Sequence, residues 1–226
     1  MPKIPALPPM TSPDGADQLP IEDVSTTNTK YITLTRLKEW LQSLAGWVTT
    51  AMIGDNQVTF AKTSGLWWEE VARTTLSGSS DTISVSSIPA RTHLRVIILS
   101  IPTGGTVDAQ MNFNGDTANN YALRVSNNGA ADTTSVSRAN WTFFGSTASS
   151  YVGTALIDII NLATSEKIGF MTSHTIGGAG AANAPDRTIR VGKWANTTAR
   201  INGITLVNTG TGDFAAGSEI IVLGRN

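Results

Sequence analysis

HLRVIILSIPTGGTVDAQMNFNGDTANNYALRVS, residues 93–126, decides the fold class. HLRVIILSI is apolar on both faces and reads as a central strand. Pro102-Thr103-Gly104-Gly105 then turns the chain. VDAQMNF alternates, with Val107, Ala109, Met111 and Phe113 on one face, as a half-buried strand does. Asn114-Gly115 is a tight-turn dipeptide, which predicts a hairpin into YALRVS. Asn128-Gly129 marks the next turn.

The same pattern continues on both sides. Upstream, GLWWEEVARTTL opens the body and DTISVSSI alternates through Ile83 and Val85. Downstream, WTFFG, SYVGTALIDIINL, EKIGFMTSH, RTIRVGK, ARINGITLV and SEIIVLG all read as strands. About ten strands at sandwich-like spacing result, with no helix after residue 66. Two stacked antiparallel sheets are the natural way to bury them. The expected fold is mainly β, a jelly-roll-like antiparallel β-sandwich over residues 66–226. A body of this size buries about 70% of its unfolded surface and needs no covalent staples. The stretch 173–187, SHTIGGAGAANAPDR, reads as a long loop between two strands, either functional or a plain surface excursion.

Composition changes ahead of this body. Pro2, Pro5, Pro8, Pro9, Pro13 and Pro20 crowd the first twenty residues. Proline fixes φ and removes a donor, so residues 1–31 read as an extended arm, neither helix nor central strand. Ile4, Leu7, Met10, Leu19, Ile21 and Val24 recur along it. That is more apolar than a disordered spacer, and it favours an arm that orders against a partner surface.

A short amphipathic helix is expected over 33–47, within a segment 32–48, with Thr33 as N-cap. Arg36 stands where a capping box would need Glu or Gln. Leu34, Leu37, Leu41, Leu44 and Val48 follow a heptad spacing, and Trp40 and Trp47 widen the apolar face. About two heptads are marginal as an isolated helix. The helix therefore either packs on its own β domain or bundles with copies of itself or a partner. Residues 49–65 read as a connector, with a turn at Gly54-Asp55-Asn56.

Charged residues are 15% of the chain and the net charge is −1, which argues against nucleic-acid binding. There is no cysteine, which excludes disulfides and thiolate metal sites. No apolar run approaches the ~20 residues of a membrane helix, so no membrane insertion is expected. The N-terminus lacks the pattern of a signal peptide, which leads us to expect synthesis in a cytoplasm.

Chemistry-bearing residues are sparse. His93 and His174 are the only histidines, no G-x-S-x-G elbow is present, and both read as packed or rim residues. Glu69 and Glu70 are neighbours whose side chains diverge on a strand. Asp158 interrupts an apolar strand and is expected to face solvent or a partner. FNGDTANNY offers oxygen ligands from Asn114, Asp116, Asn119 and Asn120, but an Asx-stabilised turn explains them better than an ion site. Gly177-Gly178-Ala179-Gly180 lacks the Lys-Ser/Thr of a phosphate loop. Asn140-Trp141-Thr142 and Asn196-Thr197-Thr198 fit the glycosylation pattern, which carries weight only in a secreted chain. No catalytic residue, metal or cofactor is expected, and the chain reads as a non-enzyme. Tryptophans in the β body are the remaining feature. Buried ones are commoner, but Trp141 and Trp194 are candidate contacts for a surface glycan.

Three blocks of the N-terminal segment carry a resemblance: Ala6-Leu7-Pro8, Leu19-Pro20-Ile21-Glu22-Asp23 and Thr29-Lys30-Tyr31-Ile32-Thr33, ahead of the helix. Together they resemble the anchoring segment of tailed-bacteriophage fibre and other virion proteins. The body, from WEEVARTTLSGSSDTISVSSIPARTHLRVIILS to FAAGSEIIVLGRN, is similar to β-sandwich heads of phage structural proteins. The resemblance implies a virion component, most often a homotrimer. Its residues 1–48 would dock on other virion proteins and its head would be displayed outward. Capsid decoration, tail fibre and tail or baseplate component all fit, as does a host-attachment module that binds surface glycan.

Overall fold

The computed structural model describes residues 18–22, 29–43, 67–143 and 151–226. Ile4, Leu7, Met10, Val24, Leu44, Trp47, Val48 and the connector 49–65 lie outside the described residues, as do the side chains of Leu19, Ile21, Trp40 and Leu41. The chain divides into two units, Met1–Thr59 and Phe60–Asn226.

The first unit contains a hairpin and a helix. Strands β1 (Gln18–Glu22) and β2 (Thr29–Thr33) pair antiparallel, with Leu19 opposite Ile32 and Pro20 opposite Tyr31. The arm expected to run extended to residue 31 is thus paired over its last part, and the arm–helix boundary at 31/32 falls inside β2. The reason is positional. Proline is excluded from central strands, but in a two-stranded ribbon both strands are edges, where a missing donor costs little. Helix α1 (Leu34–Ser43) follows β2 without a gap. Leu34 and Leu37 are half-buried while Thr35, Lys38 and Glu39 are exposed, so the i, i+3 leucine spacing does mark the inward face.

The second unit is all β among its described residues. Its strands are β3 (Glu69–Thr75), β4 (Thr82–Val85), β5 (His93–Ser100), β6 (Pro102–Thr103), β7 (Ala109–Phe113), β8 (Tyr121–Asn127) and β9 (Thr133–Arg138), then β10 (Trp141–Thr142), β11 (Gly153–Ile160), β12 (Lys167–Thr175), β13 (Asp186–Trp194), β14 (Ile204–Asn208), β15 (Asp213–Phe214) and β16 (Glu219–Arg225). An eight-stranded sheet runs β3-β16-β5-β11-β12-β13-β8-β9, a four-stranded sheet runs β10-β7-β14-β4, and β15 pairs with β6. Every ladder in them is antiparallel.

Strand alternation builds the core. Leu94, Val96 and Ile98 of β5, Ala155, Ile157 and Ile159 of β11, and Ile220 and Val222 of β16 point inward from the large sheet. Met111 and Phe113 of β7 and Ile204 and Leu206 of β14 meet them from the small one. Trp141 locks the two sheets together. Its ring packs edge-on against Phe113 at 4.8 Å, and its Nε1 donates to the Lys193 carbonyl at 3.0 Å. It rests on Gly169 and Gly192, which are register partners on β12 and β13. A Cβ at Gly192 would stand 2.6 Å from Trp141 Cε2, and one at Gly169 2.9 Å from its Cη2, so both positions must lack a side chain.

The Asn114-Gly115 turn joins different partners from those expected. Both residues have positive φ, 54° and 71°, as a tight turn requires. Yet β7 and β8 do not pair. β7 belongs to the small sheet and β8 to the large one, so the turn carries the chain between sheets. Asp116 fixes this corner. It accepts from the Ala118 amide at 3.0 Å, Asn120 Nδ2 at 2.9 Å and Trp194 Nε1 at 2.7 Å. Burial pushes its carboxyl up, but these donors outweigh burial and hold it below the usual carboxylate range. By contrast the turn expected at Asn128-Gly129 joins two strands that do pair, β8 and β9. The loop after β12 is shorter than its composition suggested, because β12 extends to Thr175 and β13 starts at Asp186.

Two buried cations are held by carbonyls. Lys167 is fully buried, and its Nζ donates to the carbonyls of Ser165 (2.9 Å) and Asn196 (2.8 Å) and lies 5.6 Å from the Trp194 ring. Burial holds its ammonium below the ordinary lysine value. Arg190 donates to the Phe143 carbonyl at 2.5 Å and to Ser173 Oγ at 3.0 Å. Burial pulls its guanidinium down to about 10, against the opposing pull of Asp108.

Candidate functional site

The outward face of the large sheet carries the most unusual surface among the described residues. On β5 the residues that point away from the core are His93, Arg95, Ile97 and Leu99. The register places them in rows with their neighbours. One row crosses β16, β5, β11, β12 and β13 as Leu223, Arg95, Asp158, Phe170 and Val191. Arg225, His93, Ile160, Ile168 and Lys193 form the row on one side. Ile221, Ile97, Leu156, Thr172 and Ile189 form the row on the other. Phe170 and Ile168 are half exposed, and Ile160, Leu156 and Val191 are each more than a third exposed. Isolated exposed apolar residues are ordinary, but a contiguous set marks an interaction surface.

A groove of about 410 Å³ opens in this face. Phe170, Ile168 and Val191 form its apolar side. Trp68 closes the other, with the guanidinium groups of Arg95 and Arg225 each 4.9 Å from its ring centroid. Such contacts contribute about 0.5–1 kcal/mol each at an exposed site. Arg95 also grips Asp158 bidentately, Nε to Oδ1 at 2.7 Å and Nη2 to Oδ2 at 2.9 Å. This hydrogen bonding holds the Arg95 guanidinium above its ordinary value, so the pair stays charged. His93 lines the groove, and its Nδ1 is buried without a hydrogen-bond partner among the described residues.

Asp158 is committed to Arg95, and no second carboxylate lines the groove to make an acid–base pair with it. Glu69 and Glu70 diverge as expected, Glu69 to Arg91 and Glu70 to Arg73. His174 sits on the same face as His93 but three rows along, about 20 Å away by strand rise. Among the described residues no cluster of three or more His, Asp or Glu could hold a metal. No described helix is long and apolar enough to cross a membrane.

Trp141 and Trp194, the candidate glycan contacts, are not at the surface. Both are buried, at 0% and 1% exposure, and neither ring has a face free for a sugar. Alternation explains this. Both lie on core-facing positions of their strands, and their indole N–H groups are satisfied internally by Lys193 and Asp116. Among the described residues the aromatic side chains at least partly exposed are Trp67, Trp68, Tyr151 and Phe170. The signal for that surface was present in HLRVIILSI, apolar on both faces when only one face is covered.

Compared with known protein families and with curated proteins, the chain matches none.

Proposed function

We propose that the chain is a non-enzymatic structural component of a tailed-phage particle. Residues 1–48 anchor it to other virion proteins, and a jelly-roll-like β-sandwich head is displayed outward. It is made in the host cytoplasm and assembles as a homotrimer into capsid decoration, a tail fibre, or a tail or baseplate part. One observation carries this reading. Leu19-Pro20-Ile21-Glu22 and Thr29-Lys30-Tyr31-Ile32-Thr33, two blocks of the phage-like segment, pair as a hairpin that feeds straight into the helix. A segment separate from the head, with its own local structure, suits an anchor. The test is deletion of residues 1–48. The head should keep its β circular dichroism and the particle should lose the protein; normal incorporation of the truncated chain would sink the reading.

A second reading is a host-attachment module that binds surface glycan. The groove beside Trp68, Arg225 and Phe170 favours it, since an aromatic wall with a nearby cation suits a sugar ring that carries an acid. Binding of the full chain to a glycan array, lost in Trp68→Ala, is the expected result; no binding at high protein concentration counts against it.

A further inference from the structure

We propose that the outer face of the large sheet is a self-association surface, buried in the assembled protein against the same face of further copies of this chain. The proposal shares with the proposed function only the self-association of the chain, and it stands even for a chain that belongs to no virion. Three observations lead to it.

The first is extent. Ile160, Ile168, Phe170 and Val191 line the groove, and beyond it the next row adds Ile221, Ile97, Leu156 and Ile189. A small ligand in the groove would leave that further row uncovered. Five strands at about 4.8 Å spacing and about 26 Å of strand length give a flat footprint of about 600 Å². That is the same order as the ~800 Å² each partner contributes to a standard interface.

The second is charge. Most ionic groups on and around this face are paired within the chain, and Arg225 is stacked on Trp68. Arg95 holds Asp158, Arg73 holds Glu70 and Glu219, and Lys193 holds Glu166. Apart from Arg225, a strongly charged partner would find little net field to match. A second copy presents an equally low-charge face, so two faces meet with little like-charge repulsion.

The third is hydrogen bonding. A glycan surface brings many hydroxyls that need donors and acceptors. The central rows supply few, because the carboxylate and guanidinium in the middle of the face are spent on each other. An apolar sheet face packs well against another, at about 10 Å between sheets.

The native chain has no cysteine, so one introduced thiol reports on one place. Thr172 lies in the row next to Phe170, between Leu156 and Ile189 in register. The experiment measures the rate of maleimide modification of full-length Thr172→Cys at several protein concentrations, with the exposed Thr197→Cys as a control site. Sedimentation of the same samples gives the mass. The expected result is modification of Thr172→Cys slowed about tenfold or more in the associated protein. Dilution, or Phe170→Glu in the same chain, should restore the rate, while Thr197→Cys reacts at one rate throughout. Equal rates for Thr172→Cys at every concentration would overturn the proposal even if the helix holds copies together. Slow modification in samples that sediment as monomer would also overturn it, in favour of a segment of the same chain covering the face. Deletion of residues 1–48 that abolishes incorporation but leaves the Thr172→Cys protection intact would show that anchoring and face pairing are separate.

Discussion

The two faces of the large sheet are made of similar residues and end in different surroundings. β5 offers Leu94, Val96 and Ile98 to one side and Arg95, Ile97 and Leu99 to the other. The first set is sealed by the small sheet, whose Trp141 packs into the floor made by Gly169 and Gly192. Among the described residues none covers the second in that way, and its neighbours Phe170 and Ile168 are half exposed. Apolarity alone therefore does not distinguish core from interface. What distinguishes them is whether the same chain supplies a lid. Burying a large side chain is worth about 1.5–3 kcal/mol, so an uncovered apolar face is a store of association free energy.

The sharpest way to break this comparison is to truncate an aromatic on each side. Trp141→Ala should cost about 3–5 kcal/mol in a denaturant melt, since the cavity sits between two sheets that cannot collapse. Phe170→Ala should change the stability of the dissociated chain by less than about 1 kcal/mol, because its ring is half in water. Equal losses at the two positions would show that the outer face is as much core as the inner.

Next in size is Gly192→Ala. The added methyl must displace the Trp141 ring, and overpacking of this kind costs about 1–3 kcal/mol. The double variant Trp141→Ala/Gly192→Ala should show much less than the sum, since the clash disappears with the ring. Additive losses would mean that Gly192 matters for another reason.

Asp116 gives a smaller, pH-dependent effect. Its carboxyl is held below its ordinary value, so its stabilising contribution is present above the unfolded value of ~3.9 and is lost as pH falls through the lower folded value. Asp116→Asn should cost about 1 kcal/mol at neutral pH. It should also flatten the acid limb of stability against pH. An unchanged limb would remove Asp116 as a contributor.

The smallest effect belongs to the outer face. Asp158→Asn in the dissociated chain should change stability by at most about 1 kcal/mol, because the Arg95 pair is solvent-exposed. In the associated protein the same substitution leaves Arg95 facing a neighbouring copy without its carboxylate, and association should weaken more than folding does. A larger loss in the monomer than in the assembly would reverse the comparison.

Much of the fold was legible in the sequence for simple reasons. Period-two alternation in VDAQMNF and DTISVSSI marked core faces, since a strand's side chains must alternate. Asn114-Gly115 signalled a tight turn, but a dipeptide does not say whether the strands it joins share a sheet. β9, TTSVSR, escaped because Val136 is its one apolar residue and shows no alternation; it is an edge strand, and polar side chains suit an edge that must not recruit a partner. The hairpin in the first unit was hidden by Pro20, a residue that rules out a central strand and permits an edge. The candidate site was the least legible part. Trp141 and Trp194 looked like sugar platforms only because tryptophan count carries no direction. The groove joins Trp68, Arg95, Phe170 and Arg225 from four strands or their flanks, and only the register brings them together.

The central claim is that this chain is built to assemble, with the N-terminal helix and the outer sheet face both left for partners. Sedimentation equilibrium of the full-length protein at micromolar concentration tests it most directly. A mass of two or more chains is the predicted result, and a monomer at every concentration would contradict the account.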